Sequence, residues 1–350
     1  MRTTFFTGAG VSKAIGYPLT SELLPRVLKG IKEKTLFNTG DEPEHAAEDR
    51  ENLGKYLDLL LPGLEDTEVK NLPLITDLFS LVEHAIAADE ALPIGDEERT
   101  RHCRQLLKRS ITDVLLAEWL IEYDRNDPLE KVLEGMVDWY GSVKAGIGLV
   151  TTNYDFGFEG RLYEGLEFKR LPDKLDLGTD WRDCMEYVQQ TRPKNPSLRV
   201  FKLHGSLDTL RCRVCGNIYF NHEGDIAWQA FRKKIDKNNT CVCSKHIKLD
   251  LHIVAPSLVR EMKDANLLSV WRSAFEWMRT SEHWVLAGYS LPPEDLAVRS
   301  LLLRAYHAAE KKPKITVVQR GEDAAPRYRM LFPKCEYIGG EMKEFLEKYA

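Results

Sequence analysis

The chain has 350 residues, of which 43% are hydrophobic and 29% are charged, a composition typical of a folded enzyme with one or two domains. Its net charge of −5 argues against a nucleic acid or an anionic membrane as a direct partner. No apolar run reaches the roughly 18 residues that a membrane-spanning helix needs, and the first predicted strand leaves no room for a signal peptide. We therefore expect a globular protein of the cytoplasm.

The first predicted element is an apolar strand, Thr3–Thr7, which runs into the turn Gly8-Ala9-Gly10 and then into a helical pattern. Glycine lets the backbone approach a phosphate closely, and the first turn of a helix presents unpaired N–H groups and a positive potential. The turn therefore predicts a phosphate-binding loop. A plain strand-to-helix turn is the alternative, because Lys13 stands where a dinucleotide fingerprint has its third glycine.

A long helical interval separates the first predicted strand from the second. Its apolar residues recur at helical spacing, for example at Leu107, Ile111, Val114, Leu115 and Trp119. A simple crossover between parallel strands needs far fewer residues. We therefore expect residues 40–144 to form a helical insertion that packs beside the sheet as its own lobe.

Further apolar runs predict strands at Ile147–Thr152, Arg199–Leu203, His252–Ala255, Trp284–Ala287 and Ile315–Val318. Nearly continuous apolar character is typical of strands buried on both faces of a parallel sheet. Between two of these strands, a helical stripe predicts a helix packed on the core, with its apolar face formed by Leu267, Trp271, Phe275 and Met278. The pattern as a whole predicts an open α/β fold with a parallel sheet.

Four of the seven cysteines form two close pairs, Cys212-x-x-Cys215 and Cys241-x-Cys243, with 25 residues between them. Four thiolates at such spacing can close a tetrahedron around zinc and leave no coordination position open. We therefore expect a structural zinc ion that stabilises a small module at residues 208–250 in a reducing compartment. The second pair is unusually tight, so His246 is an alternative ligand, and four idle thiols are the alternative to any metal.

Polar residues follow three predicted strands at their C-terminal ends, where open parallel sheets bind ligands. Asn153 and Asp155 can bind a water, a ribose or an amide, although a simple turn explains them equally well. His204 titrates near neutral pH and is a candidate general base, although a lone histidine is more often structural. Gly288 and Ser290 can approach and bind a phosphate or a ribose.

Together and in this order, these segments resemble the motifs of the sirtuin superfamily. Gly8–Ser12 looks like the family's GAG-x-S loop, Thr152–Asp155 is similar to its Q-N-I-D segment, and His204-Gly205 is similar to its catalytic H-G. The cysteine pairs stand in the place of its zinc module. Gly288–Ser290 resembles its G-T-S adenosine loop, and Gln319 stands like the asparagine after its last strand.

The resemblance implies a Rossmann-like NAD-binding domain made of residues 1–39, 145–207 and 251–350, in addition to the insertion and the zinc module. It also implies cleavage of the bond between nicotinamide and ribose. In that scheme Asn153 orders the ribose or an attacking water, Asp155 holds the carboxamide, and His204 is the general base. The implied cofactor-binding residues also include Gly8, Ala9, Gly10, Ser12, Gly288, Ser290 and Gln319.

The chain departs from the sirtuin deacylases just after the glycine turn. Those enzymes read G-I-P-D-F-R, whereas here Gly16-Tyr17-Pro18 is followed by Leu19-Thr20-Ser21, and Thr152 replaces the glutamine of the Q-N-I-D segment. The family's phenylalanine shields the reacting ribose from water, so its loss favours hydrolysis over transfer to an acyl-lysine.

With its insertion, the chain resembles prokaryotic NAD-hydrolysing effectors of antiphage defence. We therefore expect an NAD+ glycohydrolase that yields nicotinamide and ADP-ribose, forms a homo-oligomer and works with a defence-system partner protein. An NAD+-dependent protein lysine deacylase is the first alternative. A non-catalytic sensor of NAD+ or ADP-ribose is the second.

Overall fold

The computed structural model describes residues 1–350 except 39–42, 65, 121–126, 144–145, 165–170, 185–186, 223–224, 233–234, 236–238, 244, 255–263, 294 and 350. None of the helices found in this part of the chain has both the length and the apolar character needed to span a bilayer.

The described residues form twelve strands and twelve α-helices. In chain order the strands are β1 (Thr3–Thr7), β2 (Ile147–Thr151), β3 (Leu175–Asp176), β4 (Trp181–Asp183), β5 (Gln189–Gln190), β6 (Leu198–Lys202), β7 (Gly205–Arg211), β8 (Ile218–Phe220), β9 (Asp250–Ile253), β10 (His283–Ala287), β11 (Lys314–Val318) and β12 (Glu336–Ile338). The helices are α1 (Ala9–Ala14), α2 (Thr20–Lys32), α3 (Pro43–Leu60), α4 (Ile75–Ala88), α5 (Glu97–Trp119), α6 (Pro128–Ser142), α7 (Gly157–Glu164), α8 (Leu171–Lys174), α9 (Ala265–Arg279), α10 (Leu296–Ala308), α11 (Ala325–Leu331) and α12 (Met342–Tyr349). Short 3₁₀ helices cover Val69–Asn71 and Asp225–Ala230.

The larger sheet is parallel, and its strand order is β12-β11-β10-β1-β2-β6-β3. Every residue of β1, β2 and β10 is buried, as predicted for strands covered on both faces. The predicted α/β fold with a parallel sheet is confirmed. The chain first extends the sheet from β1 through β2 and β6, and later returns to add β10 on the other side of β1. The strand order therefore reverses between β1 and β10, and the crevice at their carboxyl ends is the expected ligand position of such a sheet.

A second, smaller sheet has the order β5-β4-β8-β7-β9 and is mainly antiparallel. The prediction that the His252–Ala255 strand belongs to the parallel sheet is wrong. The observed strand, β9, pairs antiparallel with β7 in the second sheet, and Ala255 lies outside the described residues. A buried run of four residues carries the same apolar pattern in either sheet, so the sequence cannot distinguish the two placements.

The interval between β1 and β2 is helical, and α5 has the predicted apolar face, with Leu107, Ile111 and Leu115 buried. These side chains belong to the same core cluster as Phe5 of β1, so the helices of the insertion and the sheet share one hydrophobic core. The division into residues 1–39 with 145–207 and 251–350, 40–144, and 208–250 stays a prediction, and its borders at 39, 40, 144 and 145 lie outside the described residues.

Candidate functional site

Two glycine turns meet at the carboxyl ends of β1 and β10. The Gly10 N–H donates to Gly288 O at 2.8 Å, and a Cβ on Gly8 or Gly10 would lie 2.8 Å or 2.7 Å from backbone atoms of Gly288. Glycine is therefore required here because two loops pack backbone against backbone, which the sequence analysis did not predict. The N–H groups of Gly8, Gly10 and Val11 are all hydrogen-bonded to the protein, so the predicted set of unpaired donors was wrong for these three residues.

Replacing Gly288 with alanine is expected to lower the free energy of unfolding by about 2–3 kcal/mol. Gly288 has φ +61°, and an added Cβ would lie 2.3 Å from the Val11 nitrogen. Urea denaturation measures the change. Gly141→Ala is the matched control, because a Cβ there meets no atom within 4 Å and alanine favours the α6 helix by up to about 1 kcal/mol. Equal stabilities of the two variants would contradict the expected strain.

A cavity of about 370 Å³ lies beside the glycine turns, within the range of roughly 300–1,000 Å³ typical of small-molecule sites. It is lined by Ala9, Ser12, Pro18, Thr20, Leu23, Leu74, Thr76, Asp77, Ser80, Ile111, Leu115, Thr152, Asn153, Tyr154, Asp155, His204, Gly288, Tyr289, Ser290, Pro292 and Asp295. Most of the residues singled out from the sequence thus share one cavity. Gly8, Gly10 and Gln319 are not among the lining residues.

Three polar residues predicted from the sequence form one hydrogen-bonded chain. The Asn153 amide donates to Ser12 Oγ at 2.7 Å and to Gly8 O at 3.0 Å, and the Ser12 hydroxyl donates to Asp155 Oδ2 at 2.7 Å. The second carboxylate oxygen of Asp155 accepts from the Gly157 N–H at 3.3 Å, at the start of α7. The loop after β2 is therefore fixed to the glycine turn after β1.

A buried ion pair contacts the backbone of this loop. Lys202 Nζ contacts Glu159 Oε1 at 3.0 Å and also donates to the backbone carbonyl of Asp155. Burial raises the pKa of Glu159 to about 7, and it also raises the pKa of Asp155, although Lys202 acts in the opposite direction on both. Burial lowers the pKa of Lys202, but the carboxylates of Glu159, Asp208 and Asp155 outweigh it, so the net pKa is raised.

The Glu159 carboxyl is expected to make the protein less stable as the pH rises. Its pKa is raised from an ordinary value of 4.5 to about 7, so the folded state binds a proton that the unfolded state releases in this interval. The contribution of this proton to the free energy of unfolding is fully present below about pH 4.5, and it is lost as the pH rises through about 7. Glu159→Gln should flatten the slope of unfolding free energy against pH, measured by urea denaturation. The exposed Glu276→Gln serves as control, and equal slopes in both variants would contradict the expectation.

His204 lies at the carboxyl end of β6, in a packed environment that fixes its backbone. The His204 carbonyl accepts a hydrogen bond from the Val254 N–H at 2.9 Å. The next residue, Gly205, has φ +80° and packs closely against the His252 carbonyl. The rings of Tyr154 and Trp271 have their centroids 6.3 Å and 6.5 Å from that of His204. The imidazole is buried, and it lines the cavity.

The sequence analysis missed Asp295 as a site residue. Its Oδ2 lies 3.9 Å from His204 Nε2, and it lines the same cavity. Asp295 also caps α10 by accepting from the Val298 N–H. The same carboxylate caps a helix and lines the cavity, and the sequence pattern indicates only its capping role.

The helical insertion forms one wall of the cavity, which the sequence analysis also did not predict. Its polar contributors are Thr76, Asp77 and Ser80, and its apolar contributors include Ile111 and Leu115. The loss of the family's phenylalanine predicts a centre more open to water. In the structure, apolar side chains of the insertion, such as Ile111 and Leu115, line the cavity.

The four predicted zinc ligands lie together at one end of the second sheet. All four Sγ atoms are within 4.8 Å of one another, with Cys212 and Cys243 4.0 Å apart and Cys215 and Cys241 3.5 Å apart. A tetrahedral Zn–S₄ site with bonds of about 2.3 Å places its sulfurs roughly 3.8 Å apart, so the donor set and its size fit zinc. His246 is exposed and lies outside this group.

Local backbone geometry explains why these thiols converge. The first pair occupies the turn between β7 and β8, where the Gly216 N–H donates to Cys212 O at 3.0 Å and Gly216 has φ +76°. Tyr219 of β8 donates its hydroxyl proton to Cys241 Sγ at 3.2 Å. Such a second contact orients a ligand sulfur and stabilises its charge.

The chain matches no protein-family model and no curated protein. In fold, it is similar to solved Sir2 structures. A Sir2 mutant with a p53 peptide and NAD has 12% identity and a TM-score of 0.43, over 100% of this chain and 91% of that chain. A Sir2 homologue in complex with NAD has 16% identity and a TM-score of 0.45, over 99% of this chain and 87% of that one. A mutant Sir2 homologue with ADP-ribose has 14% identity and a TM-score of 0.39, over 100% and 90%. Because these identities and TM-scores are low, we infer the function from the residues of the cavity and not from these structures.

Proposed function

We propose that the protein is an NAD+ glycohydrolase, which cleaves NAD+ into nicotinamide and ADP-ribose. The observation that carries the proposal is one cavity that brings together Ser12 of α1, Asn153 and Asp155 of the loop after β2, and His204 after β6. The cavity lies at the carboxyl edge of the parallel sheet, beside the point where the strand order reverses. Open α/β sheets bind nucleotides at this position.

In the proposed reaction, the bond between the nicotinamide nitrogen and the anomeric carbon of the ribose breaks, and its electron pair leaves with neutral nicotinamide. The oxygen of a water molecule forms the new bond to the same carbon. The proton of that water passes to His204, which acts as general base, and then to solvent. Asn153 orients the ribose or the water, and its bonds to Ser12 and Gly8 hold it in place for this role.

The remaining assignments take up the roles that the sequence resemblance implies for the other residues of the site. Asp155 would hold the carboxamide of nicotinamide. Ala9, Ser12, Gly288 and Ser290 line the cavity and would contact the pyrophosphate, the ribose and the adenosine side. Gly8, Gly10 and Gln319 would contribute by shaping the loops that frame the NAD+ site.

We also propose that the activity is restrained in the cytoplasm of a prokaryotic cell until a defence-system partner protein or an infection signal arrives. The placement of the insertion supports this proposal, because a partner that binds the insertion can change a wall of the cavity. Homo-oligomerisation is part of the same proposal. Loss of cellular NAD+ only after infection would support it, and constant NAD+ levels in infected cells would contradict it.

The test of the proposed reaction is mass spectrometry of NAD+ incubated with the protein, with and without an acyl-lysine peptide. Hydrolysis predicts nicotinamide and ADP-ribose in equal amounts in both samples. Products that form only with the peptide, and that include O-acyl-ADP-ribose, would contradict hydrolysis and favour a deacylase. Binding of NAD+ without any cleavage would contradict it in favour of a sensor.

A further inference from the structure

We propose that Asp295 is a positioning residue for His204, and that its carboxylate orients the imidazole in the cavity and stabilises the ring when it carries a proton. The kinetic part of this inference rests on the proposed function. The electrostatic part concerns the two side chains alone and can be measured without substrate.

The geometry places the two groups at charge-pairing distance. His204 Nε2 and Asp295 Oδ2 are 3.9 Å apart, and their side chains are only 6% and 9% exposed. This distance exceeds a hydrogen bond of about 2.7–3.2 Å, but the attraction between unlike charges at such a separation is substantial where water is scarce. Contacts of this kind are often long without substrate and tighten when it binds.

The Asp295 carboxylate is itself held in place. Its Oδ2 accepts a hydrogen bond from the Tyr289 hydroxyl at 2.8 Å, and its Oδ1 caps α10 by accepting from the Val298 N–H at 3.3 Å. Tyr289 is buried and packs edge-on against Phe6 of β1 at a centroid distance of 5.3 Å. The oxygen that faces His204 is therefore fixed by the core of the sheet, as the orienting group of a base must be.

The acidic side chains that line the cavity are Asp77, Asp155 and Asp295. Among its lining residues in the described part of the chain, none is a lysine or an arginine. Of the titratable groups that line the cavity with His204, Asp295 at the start of α10 and Tyr154 after β2 contact it, and the others are Tyr289, Asp155 and Asp77. When His204 gains a proton, it becomes a cation in a cavity lined by carboxylates, and Asp295 is the carboxylate next to it.

The chain contains a second pair of the same kind that serves as a matched control. His252 Nε2 and Asp264 Oδ2 are 3.1 Å apart, their side chains are 8% and 9% exposed, and Asp264 likewise caps a helix, α9. Arg211 also contacts Asp264, at 3.1 Å. Neither member of this pair lines the cavity.

The experiment compares Asp295→Asn with Asp264→Asn. Asparagine caps a helix about as well as aspartate and still accepts a hydrogen bond, so the charge is the main change. NMR titration of the His204 ring, assigned with His204→Gln, is expected to show its pKa lowered by about one unit in Asp295→Asn and unchanged in Asp264→Asn. The acid limb of the kcat profile for NAD+ cleavage should move to lower pH by a similar amount, with kcat about 10-fold lower and KM little changed.

An unchanged His204 titration in Asp295→Asn would overturn the proposal, as would an equal shift in Asp264→Asn. If Asp295→Asn does not fold, Asp295→Ser retains a capping hydroxyl and must show the same shift. Absence of NAD+ cleavage by the wild-type protein would contradict the proposed function, whereas the NMR titration would still decide the role of Asp295.

Discussion

Replacing His204 with glutamine is expected to lower NAD+ turnover at least about 100-fold while the fold stays intact. Glutamine keeps a polar side chain of similar length in this buried position, but it cannot take up a proton at neutral pH. The same loss is expected for Asn153→Ala, because the amide that orients the ribose or the water is then missing. Nicotinamide release measures turnover, and circular dichroism checks the fold.

His252→Gln is the matched control for the loss of a buried histidine. His252 lies in the neighbouring second sheet, is buried to a similar extent and does not line the cavity. We expect this variant to lose stability, because Asp264 loses its contact with the His252 imidazole, and to keep turnover within a few-fold of the wild type. Equal activity losses in both variants would assign His204 a structural role.

Removing zinc from the cysteine cluster is expected to lower the melting temperature by about 10 °C or more, and Cys241→Ser should have the same effect. The cysteine cluster joins the turn between β7 and β8 to the segment that carries Cys241 and Cys243. The second sheet includes strands of only two or three residues, so we expect its stability to depend on such a link. Elemental analysis should find about one zinc per chain, and calorimetry should follow the melting temperature during chelation.

Cys335→Ser is the control for this experiment, because Cys335 is half-buried and lies outside the cluster. It should keep the zinc content and shift the melting temperature by only a few degrees. Zinc well below one equivalent in the freshly purified wild-type protein would contradict a structural zinc site.

The parallel sheet could be predicted because strands buried on both faces are continuous apolar runs. Thr3–Thr7 is predicted residue for residue, whereas Trp284–Ala287 omits His283. His283 is buried in β10 and bonds Thr316 of β11 at 3.0 Å, so a polar residue continues the strand. A pattern of apolar residues along one strand does not reveal which side chains of neighbouring strands pair with each other.

Apart from the run that overlaps β9, the second sheet lacked a detectable signal in the sequence. Its strands β4 and β5 cover only Trp181–Asp183 and Gln189–Gln190, too short for any period to emerge. The longer strand β7 contains the buried polar residues Ser206, Asp208 and Thr209, a composition that is also typical of a loop. Pairing with neighbouring strands determines these elements, and it depends on contacts that are distant along the chain.

Individual residues of the site could be predicted from the sequence, but the full set of residues around the cavity could not. Asn153, Asp155 and His204 each follow a strand, and strand order alone brings their loops to one edge. Asp295 and the insertion wall were not predictable. The first is concealed by its capping role, and the second depends on how helices far away in sequence pack over the sheet.

Mass spectrometry of NAD+ incubations provides the decisive measurement of the proposed hydrolysis. The wild-type protein, in its active state and with its partner where one is needed, should convert NAD+ into equal amounts of nicotinamide and ADP-ribose without any acyl peptide. The His204→Gln protein should leave NAD+ intact under the same conditions. NAD+ that stays intact with the wild-type protein in every activation state would contradict the assignment of this cavity as the active site of a glycohydrolase.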